Sequence, residues 1–132
     1  ELPQKAKPKP RRIQPVTLAL LESPEGFLLQ QRPEKGLLAG LWQPVLWENE
    51  SLSAEETLAL LQAMGLDLRG TRPEALPAAK HIFSHIEWHM GGIALRLPAQ
   101  AAPAGCVWAS REALKTTYTL PGAFKAYRKR ML

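Results

Sequence analysis

Alternating runs of apolar and polar residues predict a sheet in the first third of the chain. The apolar run at 16–21 predicts a buried strand, the Ser-Pro-Glu-Gly sequence at 23–26 predicts a turn, and 27–32 predicts the second strand of a hairpin. The segment 41–47 is also strand-like, and the glycine-bounded segment 36–40 before it predicts a loop. We therefore expect three strands, connected by one tight turn and one longer loop.

The next apolar residues repeat at helical spacing. Ser53 is a preferred N-cap residue, and Glu56 three positions later completes a capping box. Apolar side chains then follow at Leu58, Leu61 and Met64. Gly65 predicts the end of this helix, and the glycines and prolines of 66–79 predict a loop.

The segment 81–97 is the longest strand-rich stretch of the chain. Apolar and polar residues alternate over 86–90, as on a half-buried strand. The pair Gly91-Gly92 inside it predicts a two-residue hairpin turn.

The last part of the chain predicts one more strand and two helices. The strand lies at 107–108, Ser110 caps a short helix at 111–114, and Pro121 begins the final helix. The order of elements predicts a mixed sheet flanked by helices, an α/β or α+β sandwich.

Positive charge is concentrated at the two ends of the chain. The net charge of +5 divides into +4 over 1–12, +4 over 124–132 and −3 over 13–123. Basic ends suit contact with phosphates, but a solubilising tail and a solvated helix face explain them equally well. Residues 1–14 mix proline with lysine and arginine, which predicts an extended interdomain linker, and 15–132 have the size of one domain.

Composition excludes several classes of protein and site. No apolar run approaches the roughly 18 residues that a membrane span needs, so no membrane partner is expected. The single cysteine, Cys106, rules out a disulfide within the chain and a four-cysteine zinc or iron–sulfur site. His81, His85 and His89 recur every four residues, but on a strand this spacing covers about 13 Å, which is too far for one metal. No metal site is therefore predicted.

Catalytic side chains are not evident in the sequence. Glu55 and Glu56 lie in the first turn of the predicted helix, where the helix dipole and the capping box explain them. The later positions of that helix carry no acidic cluster of the kind that holds magnesium. Ser84 and His85 are adjacent, so on a strand they point to opposite faces and do not form a nucleophile–base pair. No catalytic residue is predicted in this chain.

Two segments combine residue types that are less common in purely structural loops. The segment 32–42 is a basic, glycine-bounded loop that ends in Trp42, and Phe83-Ser84-His85 places an aromatic ring, a hydroxyl and an imidazole within a strand pattern. The residues alone favour structural explanations: a tight turn anchored by Trp42 in the core, and a β-bulge with Phe83 buried.

These two segments nevertheless resemble the signature loops of a known family. The run Arg-Pro-Glu-Lys-Gly-Leu-Leu-Ala-Gly-Leu-Trp at 32–42 and the sequence His-Ile-Phe-Ser-His at 81–85 resemble the C-terminal domain of the MutY family of A/G-specific adenine DNA glycosylases. The opening Glu-Leu-Pro with its Lys/Pro run is similar to that family's interdomain linker, and 120–121 with the final helix also fit. The resemblance covers essentially the whole chain.

The resemblance implies the fold of Nudix hydrolases such as MutT, a mixed β-sheet sandwiched by helices. The Nudix box is written G-x5-E-x7-R-E-U-x-E-E-x-G-U. When the box is anchored at 65–66, its first glutamate falls on Glu50, but its Arg-Glu pair falls on Leu-Ala at 58–59 and its Glu-Glu pair on Gln-Ala at 62–63. We therefore expect the fold without the magnesium ligands and without the hydrolase activity.

The resemblance also implies a function that is shared between two domains. An N-terminal catalytic domain of the same chain, which carries the catalytic residues and a 4Fe-4S cluster, flips adenine out of the duplex and hydrolyses its N-glycosyl bond. The present domain recognises 8-oxoguanine opposite that adenine in double-stranded DNA, and by itself is expected to be non-catalytic and free of cofactors. The DNA contacts implied by the resemblance are Ser84, Phe83, His85, Arg32 and Lys35.

Two other functions stay open at this point. One is an active Nudix hydrolase that cleaves oxidised nucleoside triphosphates, and the other is a protein-interaction module that has borrowed the fold. The expected location is the cytoplasm, at the nucleoid, in a bacterium, or the nucleus or mitochondrion in a eukaryote.

Overall fold

The computed structural model describes residues 11–132, and the strands within this range form one mixed sheet. The strands are β1 Arg12–Ser23, β2 Gly26–Gln31, β3 Trp42–Glu48, β4 Glu74–Ala75, β5 Ala79–Ile82, β6 Ile86–Arg96 and β7 Cys106–Ala109. The helices are α1 Ala54–Ala63, α2 Arg111–Thr116, a 3₁₀ helix Gly122–Tyr127 and α3 Arg128–Met131. Within residues 11–132, none of these helices has the length and apolar character needed to cross a bilayer.

The long parallel pair β1 and β6 forms the centre of the sheet. Its register runs from Arg12 opposite Ile86 to Glu22 opposite Arg96. The strand order is β4-β6-β1-β3-β2-β7, and β5 pairs with the same edge of β6 as β4. Every pairing other than β1–β6 is antiparallel.

Apolar side chains cover both faces of the sheet. Leu18 and Leu20 of β1 pack on one face beneath the 3₁₀ helix and α3, whereas Ala19 and Leu21 pack on the other face beneath α1. The first core contains the fully buried Trp88, Phe124, Tyr127 and Met131. Because the sheet lies between helices on both faces, the predicted α+β sandwich is confirmed.

Helix α1 forms as the capping residues predict. The backbone N–H of Glu56 donates to the Ser53 hydroxyl at 3.1 Å, and the backbone N–H of Ser53 donates to the Glu56 carboxylate at 3.0 Å. Ser110 likewise caps α2, accepting from the backbone N–H of Ala113 at 3.0 Å. After Pro121, however, the chain forms a 3₁₀ helix and a single α-helical turn rather than one regular α-helix.

Strand β1 begins at Arg12, before the domain boundary predicted at residue 15. Residues 12–14 join the sheet because β6 extends back to Ile86 and offers them partners. Gln14 is buried, and its side-chain oxygen accepts from the indole N–H of Trp88 at 3.3 Å. Residues 12–14 therefore belong to the sheet and not to a linker, and residues 1–10 of the predicted linker lie outside the described part of the chain.

The hairpin predicted at Gly91-Gly92 is wrong, because β6 runs straight through both glycines. Gly92 has φ +147°, and a Cβ placed there would lie 1.8 Å from the carbonyl oxygen of Leu18. The glycine therefore permits close approach of β1 and β6 rather than a turn. The chain reverses earlier, at 83–85 between β5 and β6, and the predicted loop 66–79 contains the short strand β4.

Candidate functional site

The structure brings the two signature segments together at one end of the sheet. Leu37, from the glycine-bounded loop at 32–42, and residues 82–86, which include the Phe-Ser-His segment, line one open cavity of about 450 Å³. We call this space the two-loop cavity. Ser84 and His85 are exposed on its wall, so their polar groups can meet a ligand from solvent.

Backbone hydrogen bonds fix the turn at 83–85 from two sides. The N–H of Phe83 donates to the carbonyl of Ile86 at 2.7 Å, which closes the turn between β5 and β6. The carbonyl of His85 accepts from the N–H of Arg12 at 3.1 Å, which ties the turn to the first residue of β1. The exposed side chain of Ser84 is therefore presented on a held backbone.

Phe83 anchors this turn on the core. Its ring centroid lies 5.1 Å from that of Trp88 and 4.7 Å from that of His81, both in edge-to-face geometry. Trp88 is fully buried, and each aromatic pair of this kind contributes roughly 0.5–1.5 kcal/mol beyond area burial. Packing is thus the role that the geometry gives Phe83.

Arg32 is buried, which revises its predicted role as a DNA contact. Its Nε donates to the carbonyl of Leu37 at 2.8 Å, its Nη1 donates to the Gln43 side-chain oxygen at 2.8 Å, and its Nη2 bonds the Glu48 carboxylate. Its guanidinium carbon also lies 5.4 Å from the centroid of the Trp88 ring. With only 7% of the residue exposed, Arg32 supports the loop from inside and has no free nitrogen for a phosphate.

The glycine-bounded loop is closed on itself. The N–H of Arg32 donates to the carbonyl of Leu41 at 2.8 Å, and the N–H of Gly40 donates to the carbonyl of Pro33 at 2.9 Å. Gly36 and Gly40 have backbone φ angles of +93° and +72°, which residues other than glycine rarely adopt. The loop therefore has a defined shape that depends on its glycines.

Three exposed basic residues surround the two loops. Lys35 lies at the tip of the glycine-bounded loop, Arg12 begins β1, and Lys80 lies on β5. No carboxylate within residues 11–132 forms an ion pair with any of them. Lys35 was predicted as a DNA contact. Sequence reasoning missed Arg12, which it assigned to the linker, and Lys80, which has no local signal.

Large apolar side chains are also exposed at this end of the sheet. The exposed fractions are 59% for Ile13, 53% for Ile82 and 43% for Leu41. Ile82 lines the two-loop cavity, Leu41 is the second-last residue of the glycine-bounded loop, and Ile13 follows Arg12. Sequence reasoning assigned no role to these side chains, although Leu41 and Ile82 lie within the two segments that it had selected. Ile13 follows Arg12, whose N–H bonds the turn.

The three histidines do not converge. His89 lies beside Glu87, with its Nε2 2.6 Å from the Glu87 carboxylate, and this hydrogen bond lowers the pKa of Glu87. Within residues 11–132, no three His, Cys, Asp or Glu side chains are arranged to hold a metal ion.

Helix α1 carries none of the Nudix-box carboxylates. Its exposed positions in the second half are Ala59, Leu60, Gln62 and Ala63. The one matching glutamate, Glu50, lies in the loop before the helix, where its carbonyl accepts from the Thr17 hydroxyl at 2.7 Å. The helix thus lacks the acidic ligands with which the box binds magnesium.

The sequence matches a family model described as NUDIX domain over residues 16–130. Human adenine DNA glycosylase is 35% identical over 137 residues, which is 96% of this chain and 25% of the human protein. Mouse adenine DNA glycosylase is 35% identical over 121 residues, covering 83% of this chain and 24% of the mouse protein. The chain therefore spans about a quarter of the length of these curated relatives.

Two solved structures illustrate the similarity of fold. The C-terminal domain of mouse MUTYH, in a complex with human PCNA, has a TM-score of 0.65 and 28% identity, and the match covers 89% of this chain and 86% of that one. A MutT protein from Methanosarcina mazei has a TM-score of 0.64 and 19% identity, with 92% and 94% coverage, which shows the fold alone. The predicted resemblance and the predicted Nudix-like fold are both confirmed.

Proposed function

This chain belongs to the NUDIX domain family, and from that premise we propose that it is the lesion-recognition domain of an adenine DNA glycosylase. It recognises 8-oxoguanine opposite adenine in double-stranded DNA, so that a catalytic domain of the same protein removes the mispaired adenine in base excision repair. The observation that carries the proposal is the meeting of the two signature loops in one cavity, with Ser84 exposed on its wall.

The chemistry of a hydroxyl suits this lesion. Guanine presents N7 as an acceptor in the major groove, and oxidation at C8 converts N7 into an N–H donor and adds a carbonyl oxygen. A hydroxyl both accepts and donates, so Ser84 can accept from N7–H and donate to the new oxygen. A carboxylate or an ammonium group could make only one of these bonds.

The neighbouring residues support Ser84 in different ways. Phe83 and Arg32 hold the two loops against the core from inside. Lys35, Arg12 and Lys80 are exposed and supply phosphate contacts, which position the domain without specifying a base. His85 is exposed on the same turn and meets the DNA backbone or orients the turn.

The remaining parts of the proposed enzyme lie outside this chain. Adenine excision, with its catalytic residues and 4Fe-4S cluster, belongs to the N-terminal catalytic domain that we propose as the partner of this domain. The mouse domain was solved with PCNA, a type of protein partner that the sequence did not predict. The protein acts where the genome is, at the nucleoid of a bacterium or in the nucleus or mitochondrion of a eukaryote.

The test compares Ser84→Ala with Ser51→Ala, a second exposed serine on another loop. The 132-residue chain is titrated with a duplex containing one 8-oxoguanine:adenine pair and with the same duplex containing guanine:adenine. Loss of one base contact costs about 1–3 kcal/mol, so Ser84→Ala should lose roughly 5- to 150-fold of the lesion preference, while Ser51→Ala keeps it.

The same variants are compared in the protein that carries both domains, because tethering raises the effective concentration of a weakly binding domain. The ratio of adenine excision opposite 8-oxoguanine to excision opposite guanine should fall for Ser84→Ala. An unchanged ratio for Ser84→Ala and for the Phe83→Ala/Ser84→Ala double variant would show that the lesion is recognised elsewhere.

A hydrolase function makes a different prediction. The box positions on α1 hold alanine and glutamine where magnesium ligands are required, so the chain should not turn over 8-oxo-dGTP in the presence of magnesium. Phosphate or pyrophosphate release above a protein-free blank would favour the hydrolase over lesion recognition.

A further inference from the structure

A second cavity lies at the other end of β1 and β6. It has a volume of about 530 Å³, and the apolar side chains of Leu20, Phe27 and Ala94, which share one face of the sheet, line it. Its charged residues are Arg72, Arg96, Arg111 and Arg130, together with Glu22 and Glu74. We call it the arginine cleft. The ten residue steps from Ile86 to Arg96 along β6 correspond to about 33 Å, so the cleft is separate from the two-loop cavity.

The arginine cleft has an uncompensated charge of +2, since four arginines face two glutamates. Glu22 is shared, because one of its oxygens lies 3.2 Å from Arg111 Nη2 and the other 4.0 Å from Arg96 Nε. Arg130 Nη1 lies 3.3 Å from Glu74. Arg72 has no carboxylate within ion-pair distance among the described residues. One free charge thus belongs to Arg72 and the other to the pair that shares Glu22.

The cleft also offers a surface for an organic group. The guanidinium carbon of Arg111 lies 5.6 Å from the centroid of the buried Phe27 ring, so one face of this guanidinium is held against the aromatic ring. Half of the Arg111 side chain stays exposed, at 51%. A planar or apolar group can therefore lie on Arg111 and the neighbouring Ala94 while an anion contacts the other arginines.

We propose that the arginine cleft binds a phosphomonoester carried by a small organic group. A phosphomonoester has a charge near −2 at neutral pH, which balances the +2 of the cleft. Arginine forks bond phosphate oxygens in pairs, and the volume lies in the range of small-molecule sites. A free nucleotide and a phosphorylated side chain of a partner protein share this chemistry.

The first experiment titrates the chain with phenyl phosphate and with phenyl sulfate, which has the same ring and one charge less. Calorimetry is done at pH 8, above the second phosphate pKa of about 6. Phenyl phosphate should bind at least about tenfold more tightly, and its amide chemical-shift changes should be confined to the arginine cleft. Equal affinities, or shifts at the two-loop cavity, would overturn the proposal.

Variants test the assignment to individual residues. Arg72→Gln should weaken phenyl phosphate binding about tenfold, whereas Lys125→Gln, which removes an exposed charge outside the cleft, should leave it within about twofold. Glu22→Gln should have the opposite effect and strengthen phenyl phosphate binding, because it removes a carboxylate that competes with the phosphate for Arg96 and Arg111. Weaker binding by a folded Glu22→Gln variant, or no effect of Arg72→Gln, would contradict the proposal.

A last comparison separates the two sources and the two sites. AMP is titrated alongside adenosine, and a phosphoserine peptide alongside the same peptide without the phosphate. If AMP binds more tightly than the phosphopeptide, the cleft is assigned to free nucleotides. If the phosphopeptide binds more tightly than AMP, the cleft is assigned to a partner protein. Failure of both phosphorylated probes to bind better than their controls would overturn the proposal.

Two variants separate the cleft from the two-loop cavity. Ser84→Ala should leave phenyl phosphate binding unchanged, and Arg72→Gln should leave lesion preference unchanged. The proposal for the cleft and the proposal for lesion recognition can therefore be refuted independently.

Discussion

The turn at 83–85 and the pair Gly91-Gly92 lie in the same strand-rich segment, but the chain reverses at the first and continues straight through the second. At the turn, the N–H of Phe83 bonds the carbonyl of Ile86, the chain reverses, and the side chain of Ser84 stays exposed. At the glycines the chain does not reverse, and Gly92 has no side chain because the Leu18 backbone occupies the position of its Cβ. At the centre of the sheet, the missing side chain of Gly92 lets β1 and β6 lie close together. At the end of the sheet, the turn at 83–85 holds its backbone in place and exposes its side chains to solvent.

The difference separates stability from recognition within one segment. Substitutions that disturb the contact of β1 and β6 should unfold the domain, while substitutions of exposed side chains at the turn should change binding and leave the fold intact. Each of the following predictions tests that separation.

The largest effect is expected for Gly92→Ala. The added Cβ would lie 1.8 Å from the Leu18 carbonyl oxygen, and φ is +147°, so the β1–β6 ladder must shift. We expect a loss of roughly 4 kcal/mol or more in the free energy of unfolding, measured by urea denaturation followed by circular dichroism. Gly91→Ala is the matched control, because nothing lies within 4 Å of its Cβ position, and it should cost no more than about 1 kcal/mol. Similar losses for both glycines would refute this account.

Arg32→Leu should have the next largest effect. It leaves the Leu37 carbonyl, Gln43 and Glu48 without their donor, and charge-assisted bonds of this kind predict a loss of roughly 2–4 kcal/mol in the free energy of unfolding. Lys35→Leu, on the exposed tip of the same loop, should change stability by about 0.5 kcal/mol or less. Equal stability of the two variants would mean that Arg32 does not support the loop.

The smallest effect concerns the pH dependence of stability. The hydrogen bond from His89, with help from Arg11, lowers the pKa of Glu87 below its ordinary value of 4.5. A carboxyl with a depressed pKa stabilises the fold above about pH 4.5, and this contribution disappears as the pH falls through the folded-state pKa. The melting temperature of Glu87→Gln should therefore depend less steeply on pH in this range than that of the parent chain, and a profile as steep as the parent's would contradict this account.

Local signals predicted the elements whose causes are local. The capping box at Ser53 and Glu56 placed the start of α1. The family resemblance marked the segment that carries Ser84, but the β-bulge that the residues alone predicted there is wrong, because the chain reverses between β5 and β6. Gly91-Gly92 was mistaken for a turn because the contact that requires Gly92 is with Leu18, far away in the sequence.

Burial and convergence depend on the whole fold and were not predictable in the same way. Arginine is usually exposed, so the sequence favours a surface position for Arg32. Only the folded structure brings Gln43 and Glu48 to its guanidinium. The arginine cleft gathers residues from five separate parts of the chain, at 20–27, 70–74, 94–96, 111 and 130. No motif connects these positions, so no sequence pattern indicates the cleft.

The bond between Gln14 and Trp88 joins residues 74 positions apart, and it lies within the parallel ladder of β1 and β6. Contacts of such long sequence separation form slowly, because a large loop must close before they stabilise the chain. During synthesis, the edge of β1 that pairs with β6 has no partner until about two-thirds of the 132 residues have been made. The turn at 83–85 gains its bond to β1 only when Arg12 meets His85, so the proposed recognition surface is incomplete until residue 85 has been made, and the free edge of β1 is open to wrong pairing until β6 covers it.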